Sequence, residues 1–454
     1  MATVTGGNVY VLDFEAIEIA NIFNYQYASL KSTSAKFYDN ASNYTLFQGR
    51  GLTYYSDGEP KSGVVTSASF VANGATVIKI TGLNDVPATT IADYAYANNT
   101  LGLLSIALAG TDTITGTAGP DVLYGFGGND VIKGGVGSDR LMGGNGNDTL
   151  RGDSGADRLD GGVGVDTLIG GSDSDTYIVD NIADVILEGA SEGTADRLTA
   201  SVDYGLKSGV YVEFMATASS IGTAAIDLTG NALKQDVTGN AGANILNEGG
   251  VGAADKLAGL GGNDTYRVYN SGAVIVESSS QGTADRIISS TDYKLSAGVY
   301  IEQLTTNSST ATAAIDFTGN EVGQKFTGNA GSNIIDGKGG NDTMTGLAGK
   351  DYFVFSSALG AGNIDTITDF QPVDDTIRLE NAVFKALTAT GTLAASAFRA
   401  NTTGLAGDTT DRIIFETDTG NLFYDADGTG TAARVQFAVL DAGLKLTAAD
   451  FVVI

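Results

Sequence analysis

The chain contains no histidine, no cysteine and no tryptophan. Without histidine, Ser–His and Cys–His nucleophiles, zincin motifs and His-ligated metals are all excluded. Basic residues are also scarce: 25 Lys and Arg stand against 53 Asp and Glu, for a formal net charge of −28. That balance argues against nucleic acid and anionic membrane surfaces as partners. The longest apolar stretch, residues 101–109, is too short to span a bilayer, so neither membrane insertion nor pore formation is expected. Residues 1–11 lack the basic and apolar regions of a cleavable N-terminal signal.

What the chain does have is a nine-residue period. Asp112, Asp121, Asp130, Asp139, Asp148, Asp157, Asp166 and Asp175 stand nine apart, each with an apolar or aromatic residue two places later. From Asp121 on, each also has a glycine five places earlier: Gly116, Gly125, Gly134, Gly143, Gly152, Gly161 and Gly170. The unit reads G-G-x-G-x-D-x-U-x and is cleanest in GGNGNDTLR at residues 143–151. A repeat with one apolar residue cannot bury a face alone and must stack on its neighbours. The residues after each Asp form a short strand with the central side chain inward. Two units then make one 18-residue turn, with Leu123, Leu141, Leu159 and Tyr177 facing Ile132, Leu150 and Leu168 across a thin core.

That core is too poor to fold by itself. One buried Leu stabilises by roughly 1.5–3 kcal/mol, whereas ordering nine residues costs roughly 1–2 kcal/mol each. Stacking at about 4.8 Å also crowds like-charged aspartates. A hard divalent ion resolves both problems. Calcium takes six to eight oxygen ligands in flexible geometry, while magnesium demands a strict octahedron and keeps its waters. The repeats are therefore expected to be disordered without calcium and to fold on several calcium ions.

On these residues the chain resembles the RTX ("repeats in toxin") proteins, which are exported by type I secretion. The resemblance implies a parallel β-roll with calcium in the G-G-x-G-x-D loops. The expected ligand set is Asp121, Asp130, Asp139, Asp148, Asp157, Asp166 and Asp175 with the seven glycines named above, joined by Asp264, Asp342 and Asp351. Thr117, Phe126 and Asp153 replace the second glycine of their units and Asp173 the third; Ala107 stands where the first unit needs its opening glycine, which makes Asp112 a doubtful ligand.

A longer repeat follows, in which residues 176–264 and 265–351 align with an offset of 89. TYIVDN matches TYRVYN, and TGNAGANIL matches TGNAGSNII. These units are expected to extend the solenoid with larger rungs. Nonapeptide sequence returns at Asn244, Asp255 and Asp264, then at Asn333, Asp342 and Asp351. The two asparagines keep an oxygen but no charge and should be weak half-sites, and the spacing of eleven from Asn244 to Asp255 breaks the register.

The flanks read differently. Within residues 1–106, strands are expected at 9–12, 44–47, 52–55, 64–71 and 77–81, with helices at 14–23 and across 89–109. Asp57, Gly58, Glu59 and Pro60 form a turn between two of those strands. Residues 354–454 resemble the C-terminal part of serralysin-type RTX proteins. Asp425, Asp427 and Gly428 there suit either a short calcium turn or, as the favoured reading, a plain hairpin. The closing AADFVVI suits either a type I export signal or a last strand.

The expected fold is mostly β: a β-roll at 107–180 and a solenoid extension at 181–353, between a small α+β module at 1–106 and a β-rich capping and secretion domain at 354–454. The expected function is a secreted, non-enzymatic calcium-binding protein with a structural role at the bacterial cell surface, self-assembling like a surface layer. Its expected partners are calcium, copies of itself and the type I secretion machinery. A polysaccharide-acting hydrolase or a glycan-binding adhesin with its site in residues 1–106 is the alternative. One G-x-S-x-G occurs at Gly189, Ala190, Ser191, Glu192 and Gly193, but no histidine exists to activate Ser191.

Overall fold

The computed structural model describes residues 3–6, 27–31, 34–40, 43–54, 60–72, 75–87, 105 and 108–454. The chain divides into two compact units, Met1–Ala218 and Ser219–Ile454. Both contain parallel β-solenoid, and their described residues include the single 3₁₀ turns Ala395–Ala397 and Ala448–Asp450.

In the first unit the nonapeptides alternate between two sheets. Strands Val131–Val136, Thr149–Ser154 and Thr167–Ser172 stack in one, and Val122–Gly127, Arg140–Asn145 and Arg158–Val163 in the other. The parallel register is set by the apolar position: Leu123, Leu141, Leu159 and Tyr177 lie in line, as do Ile114, Ile132, Leu150 and Leu168. All eight side chains are fully buried. Alternation of inward and outward side chains along each strand dictates this, because only every second residue can reach the core.

Thr3–Gly6 pairs in parallel with Thr113–Thr115 at the start of the first sheet and antiparallel with Ala75–Pro87. From there Pro60–Ala72, Asn43–Tyr54, Ser34–Asn40 and Tyr27–Lys31 form an antiparallel meander. The meander covers a strand edge that would otherwise template pairing with another chain. The strand Asn43–Tyr54 spans the expected segment 44–47 and the first three residues of 52–55, whose last residue lies outside the described residues, and Pro60–Ala72 and Ala75–Pro87 contain the other two. The expected strand at 9–12, the helix at 14–23 and nearly all of the one across 89–109 lie outside the described residues.

The second unit keeps the parallel stacking but varies its rung length. Thr265 pairs with Arg286 twenty-one residues on, Arg286 with Gln303 after seventeen, and Tyr352 with Thr376 after twenty-four. The extra residues bulge into loops, while Leu246, Tyr266, Ile287, Leu304, Phe326 and Met344 stay fully buried in one line. The C-terminal region exchanges small rungs for aromatics. Phe437 meets Phe355 and Phe384 edge to face, at 5.0 and 5.2 Å between ring centroids, and Phe384 meets Tyr424 at 5.1 Å. Asn421–Tyr424 and Val435–Val439 pair as a hairpin. Between them Asp425 Oδ1 accepts the backbone N–H groups of Asp427 and Gly428, the local turn that a hairpin needs. Phe451–Val453 is a strand paired in parallel with Thr376–Leu379.

Six residues other than glycine have a left-handed backbone among those described: Phe126, Asp153, Asp173, Leu260, Lys338 and Leu347. Each occupies a glycine position of a nonapeptide loop. The loop path is thus imposed by the stacked neighbours, at a cost of about 1–2 kcal/mol for each residue with a Cβ. Two outcomes follow for the calcium-loaded chain in urea. Leu347→Gly should stabilise by about 1 kcal/mol. Gly144→Ala, whose Cβ would meet the Phe126 backbone at a positive φ, should destabilise by more than about 1 kcal/mol.

Candidate metal centre

Each loop ends on an aspartate just before a strand, so the strand register also sets where the carboxylates fall. The result is a ladder. Oδ1 of Asp130, Asp139, Asp148, Asp157, Asp166 and Asp175 accepts the backbone N–H of the aspartate eighteen residues earlier, at 2.7–2.8 Å. Every one of these side chains is 0–2% exposed. Oδ2 of all six has no hydrogen-bond partner. A buried polar atom without a partner carries its full desolvation penalty, so six in a row at one spacing point to a ligand.

The opening glycines complete the loop. A Cβ on Gly125, Gly143 or Gly152 would collide with Oδ2 of the aspartate five residues later and with the carbonyl oxygen of the glycine eighteen residues on. At Gly134, Gly161 and Gly170 the same carboxylate, of Asp139, Asp166 and Asp175, fills that space. Carboxylate oxygen and backbone carbonyl therefore converge on a cradle that any side chain would block. Oxygen-only donors in an irregular, adaptable arrangement suit calcium, and the loops fit it.

Not every expected residue stands alike. Gly116 follows the same pattern with Asp121 and Gly134, but Asp121 Oδ2 accepts hydrogen bonds from the backbone and hydroxyl of Thr117, which replaces the second glycine. In the second unit Asp264, Asp342 and Asp351 each hold the backbone N–H of the preceding rung through Oδ1 and leave Oδ2 without a partner. Asp255 does the same with Gln235, so the spacing of eleven lengthens the rung to twenty residues without breaking the ladder.

Asn244 and Asn333 take another course. Asn244 Oδ1 accepts from Asn240 N, and its Nδ2 donates to Ile226 O. Asn333 repeats this with Asn329 and Ile315. Gln324 is latched to Asn320 in the same manner, its amide both accepting and donating. An amide carries its own donor, so these loops close without an ion.

Sequence spacing missed further rungs. Asp184, Asp196, Asp285, Asp365 and Asp375 each accept a ladder N–H from a rung 18–24 residues earlier. Asp184 continues the nine-residue count one step past Asp175 and the other four fall off it, but each of the five has an apolar residue two places later, as in Asp196-Arg197-Leu198. That pair rule, without the fixed spacing, would have found them. Ser191, by contrast, lies in an open surface turn lined by Asp173 and Glu192, where Glu192 accepts the Gly189 N–H.

Burial sets the electrostatics. It pushes the carboxyls of Asp130, Asp157, Asp166 and Asp175 up to about 7 and that of Asp139 to about 6, and neighbouring aspartates add to the shift. The ladder hydrogen bond opposes it. Asp255 and Asp264 rise to about 7 and Asp342 to about 8 for the same first reason. Above the ordinary value of 3.8 an unfolded chain gives up these protons, whereas the folded, metal-free loops keep them to about 7. The folded state then binds more protons, so its stability falls as pH rises through that window. Calcium must displace the same protons, so its affinity rises over the window. Circular dichroism should show the metal-free chain gaining β-structure between about pH 7.5 and about pH 5, and the calcium midpoint falling as pH rises. A midpoint independent of pH would contradict this assignment.

The family model of the RTX calcium-binding nonapeptide repeat (4 copies) matches residues 106–141, 142–177 and 327–357. The first two segments hold the ladder from Asp112 to Asp175, and the third holds Asp342 and Asp351. No curated protein matches the chain. Ladder, cradle and family match agree on the ion: the matched segments are RTX calcium-binding nonapeptide repeats, with several calcium ions as their cofactor.

Proposed function

We propose that this is a secreted, non-enzymatic protein whose repeats fold on calcium outside the cell and serve a structural role at the bacterial surface. The observation that carries this reading is the row of six buried, unpartnered carboxylate oxygens at one spacing. Asp130, Asp139, Asp148, Asp157, Asp166 and Asp175 are its principal ligands, with the carbonyls at Gly125 to Gly170 completing the shells. Asp264, Asp342 and Asp351 serve in the second unit, and Asp121 with Gly116 is the weaker end of the first.

The mechanism is a folding switch. At low cytosolic calcium, crowded carboxylates and a thin core keep the repeats open for export. At high external calcium each ion adds its binding free energy to folding, about 1.4 kcal/mol per site at tenfold excess over its dissociation constant. Type I export through the C-terminus fits this order of events. Phe451 and Val453 are buried in the folded sheet, so a signal there is readable only before folding. The division into an N-terminal module at 1–106, a roll at 107–180, an extension at 181–353 and a cap at 354–454 assigns folding to the middle and edge protection to the ends. Assembly with further copies would make a calcium-dependent surface layer or matrix.

Circular dichroism and electron microscopy of the full chain test this, with calcium and with a chelator. β-Structure should appear with calcium and collapse on chelation, and ordered assemblies should form only in calcium. Asp148→Ala should raise the calcium midpoint of the transition and lower the number of ions bound. Full β-structure in chelator at neutral pH would sink the switch, and glycan turnover by the calcium-loaded chain would overturn the non-enzymatic role.

A further inference from the structure

Glu188 and Glu277 stand eighteen residues after Gly170 and Gly259, where a regular nonapeptide would place its opening glycine. Each sends a carboxylate into the loop interior that glycine leaves open. Asp175, Glu188 and Asp196 each offer an oxygen within 4.8 Å of the other two, and Asp264, Glu277 and Asp285 repeat the arrangement. The two sets are offset by 89 residues at every position, so they are copies of one design. The rung from Asp175 to Asp196, like that from Asp264 to Asp285, spans twenty-one residues, and the longer glutamate fills the widened loop.

The wiring of these groups points to an ion. All six carboxylates are at most 5% exposed. One oxygen of each is held: Asp175 and Asp196 Oδ1 by backbone N–H groups, and Glu188 Oε2 by the Tyr177 hydroxyl. In the copy, Asp264 and Asp285 Oδ1 are held likewise and Glu277 Oε2 by the Tyr266 hydroxyl. The second oxygens, Asp175 Oδ2, Glu188 Oε1 and Asp196 Oδ2 with their counterparts, have no partner. Among the described residues none of the six is ion-paired to Lys or Arg. Three pinned carboxylates turning free oxygens to one point repel one another unless a cation sits between them.

We propose that Asp175–Glu188–Asp196 and Asp264–Glu277–Asp285 are a second kind of cation site, in which Asp175 and Asp264, the last aspartates of their nonapeptide runs, turn Oδ2 to a glutamate-containing site that takes a hard ion of calcium size at lower concentration than the preceding nonapeptide loops. The reading of those loops as calcium sites supplies the comparison. Charge count is what separates the two kinds, because a third carboxylate strengthens binding of a hard cation. The all-oxygen donor set selects against soft metals. Placed where the nine-residue period ends, each site pins the rung at which the regular roll gives way to longer ones.

Terbium, a hard trivalent ion of similar size, reads the site directly. The chain has no tryptophan, so tyrosine is its sensitiser, and the Tyr177 and Tyr266 hydroxyls already touch a site carboxylate. Titrating the metal-free full chain should give tyrosine-sensitised emission that saturates at two ions, before the dichroism transition of the loops. Glu188→Gln or Glu277→Gln should each remove roughly half of that emission and weaken one site by roughly tenfold or more. Tyr177→Phe with Tyr266→Phe keeps every carboxylate, so it should cut the emission sharply while leaving the count of bound ions unchanged. Asp148→Asn should lower the count and spare the emission. Undiminished emission and ion count in the Glu188→Gln, Glu277→Gln double variant would overturn the proposal, as would emission left undiminished by loss of both tyrosines. Neither result touches the loops, whose own failure would show as the absence of a dichroism response to calcium.

Discussion

Each of the six ladder aspartates from Asp130 to Asp175 does two things at once. One carboxylate oxygen holds the backbone amide of the aspartate one turn away, and the other faces the loop interior with nothing to bond. The first interaction fixes the rung length, because the N–H must arrive opposite the carboxylate. The second creates a charge that only a cation can compensate. Glycine at the loop's opening and the inward leucine after it are consequences, since the cradle admits no Cβ and the strand must carry the chain to the next loop.

Where the chain abandons this device it substitutes others. Asn240 with Asn244, and Asn329 with Asn333, close their loops with amide donors and acceptors and need no ion. Further on, edge-to-face aromatics around Phe384 and Phe437 supply the apolar burial that single leucines do not. Ion-dependent and ion-independent rungs thus alternate along one solenoid pattern. The left-handed Leu260, Lys338 and Leu347 show that a loop path can persist after its glycine is gone, because stacked neighbours hold the backbone in place.

Much of this was legible beforehand. The eight aspartates and their Asp+2 partners stated the alternation of sheets, the register and the buried residues, since a period of nine with one apolar position admits few arrangements. The hairpin around Asp425 followed from local turn chemistry. Asp196 and Asp285 were not legible as rungs, because insertions of a few residues erase the count while the sheet register restores the contact. Nor was the bond from Thr117 to Asp121 visible, although Thr117 stood in plain view. Whether a hydroxyl two residues into a loop satisfies the carboxylate or points to solvent depends on the folded path.

The sequence by itself determined the repeat, the ion class and the absence of histidine chemistry, since these depend on residue types and on spacing along the chain. Only the tertiary structure decided which oxygens are left over. It set Glu188 between Asp175 and Asp196, whose carboxylates lie one rung of twenty-one residues apart and come together only once the strands have stacked.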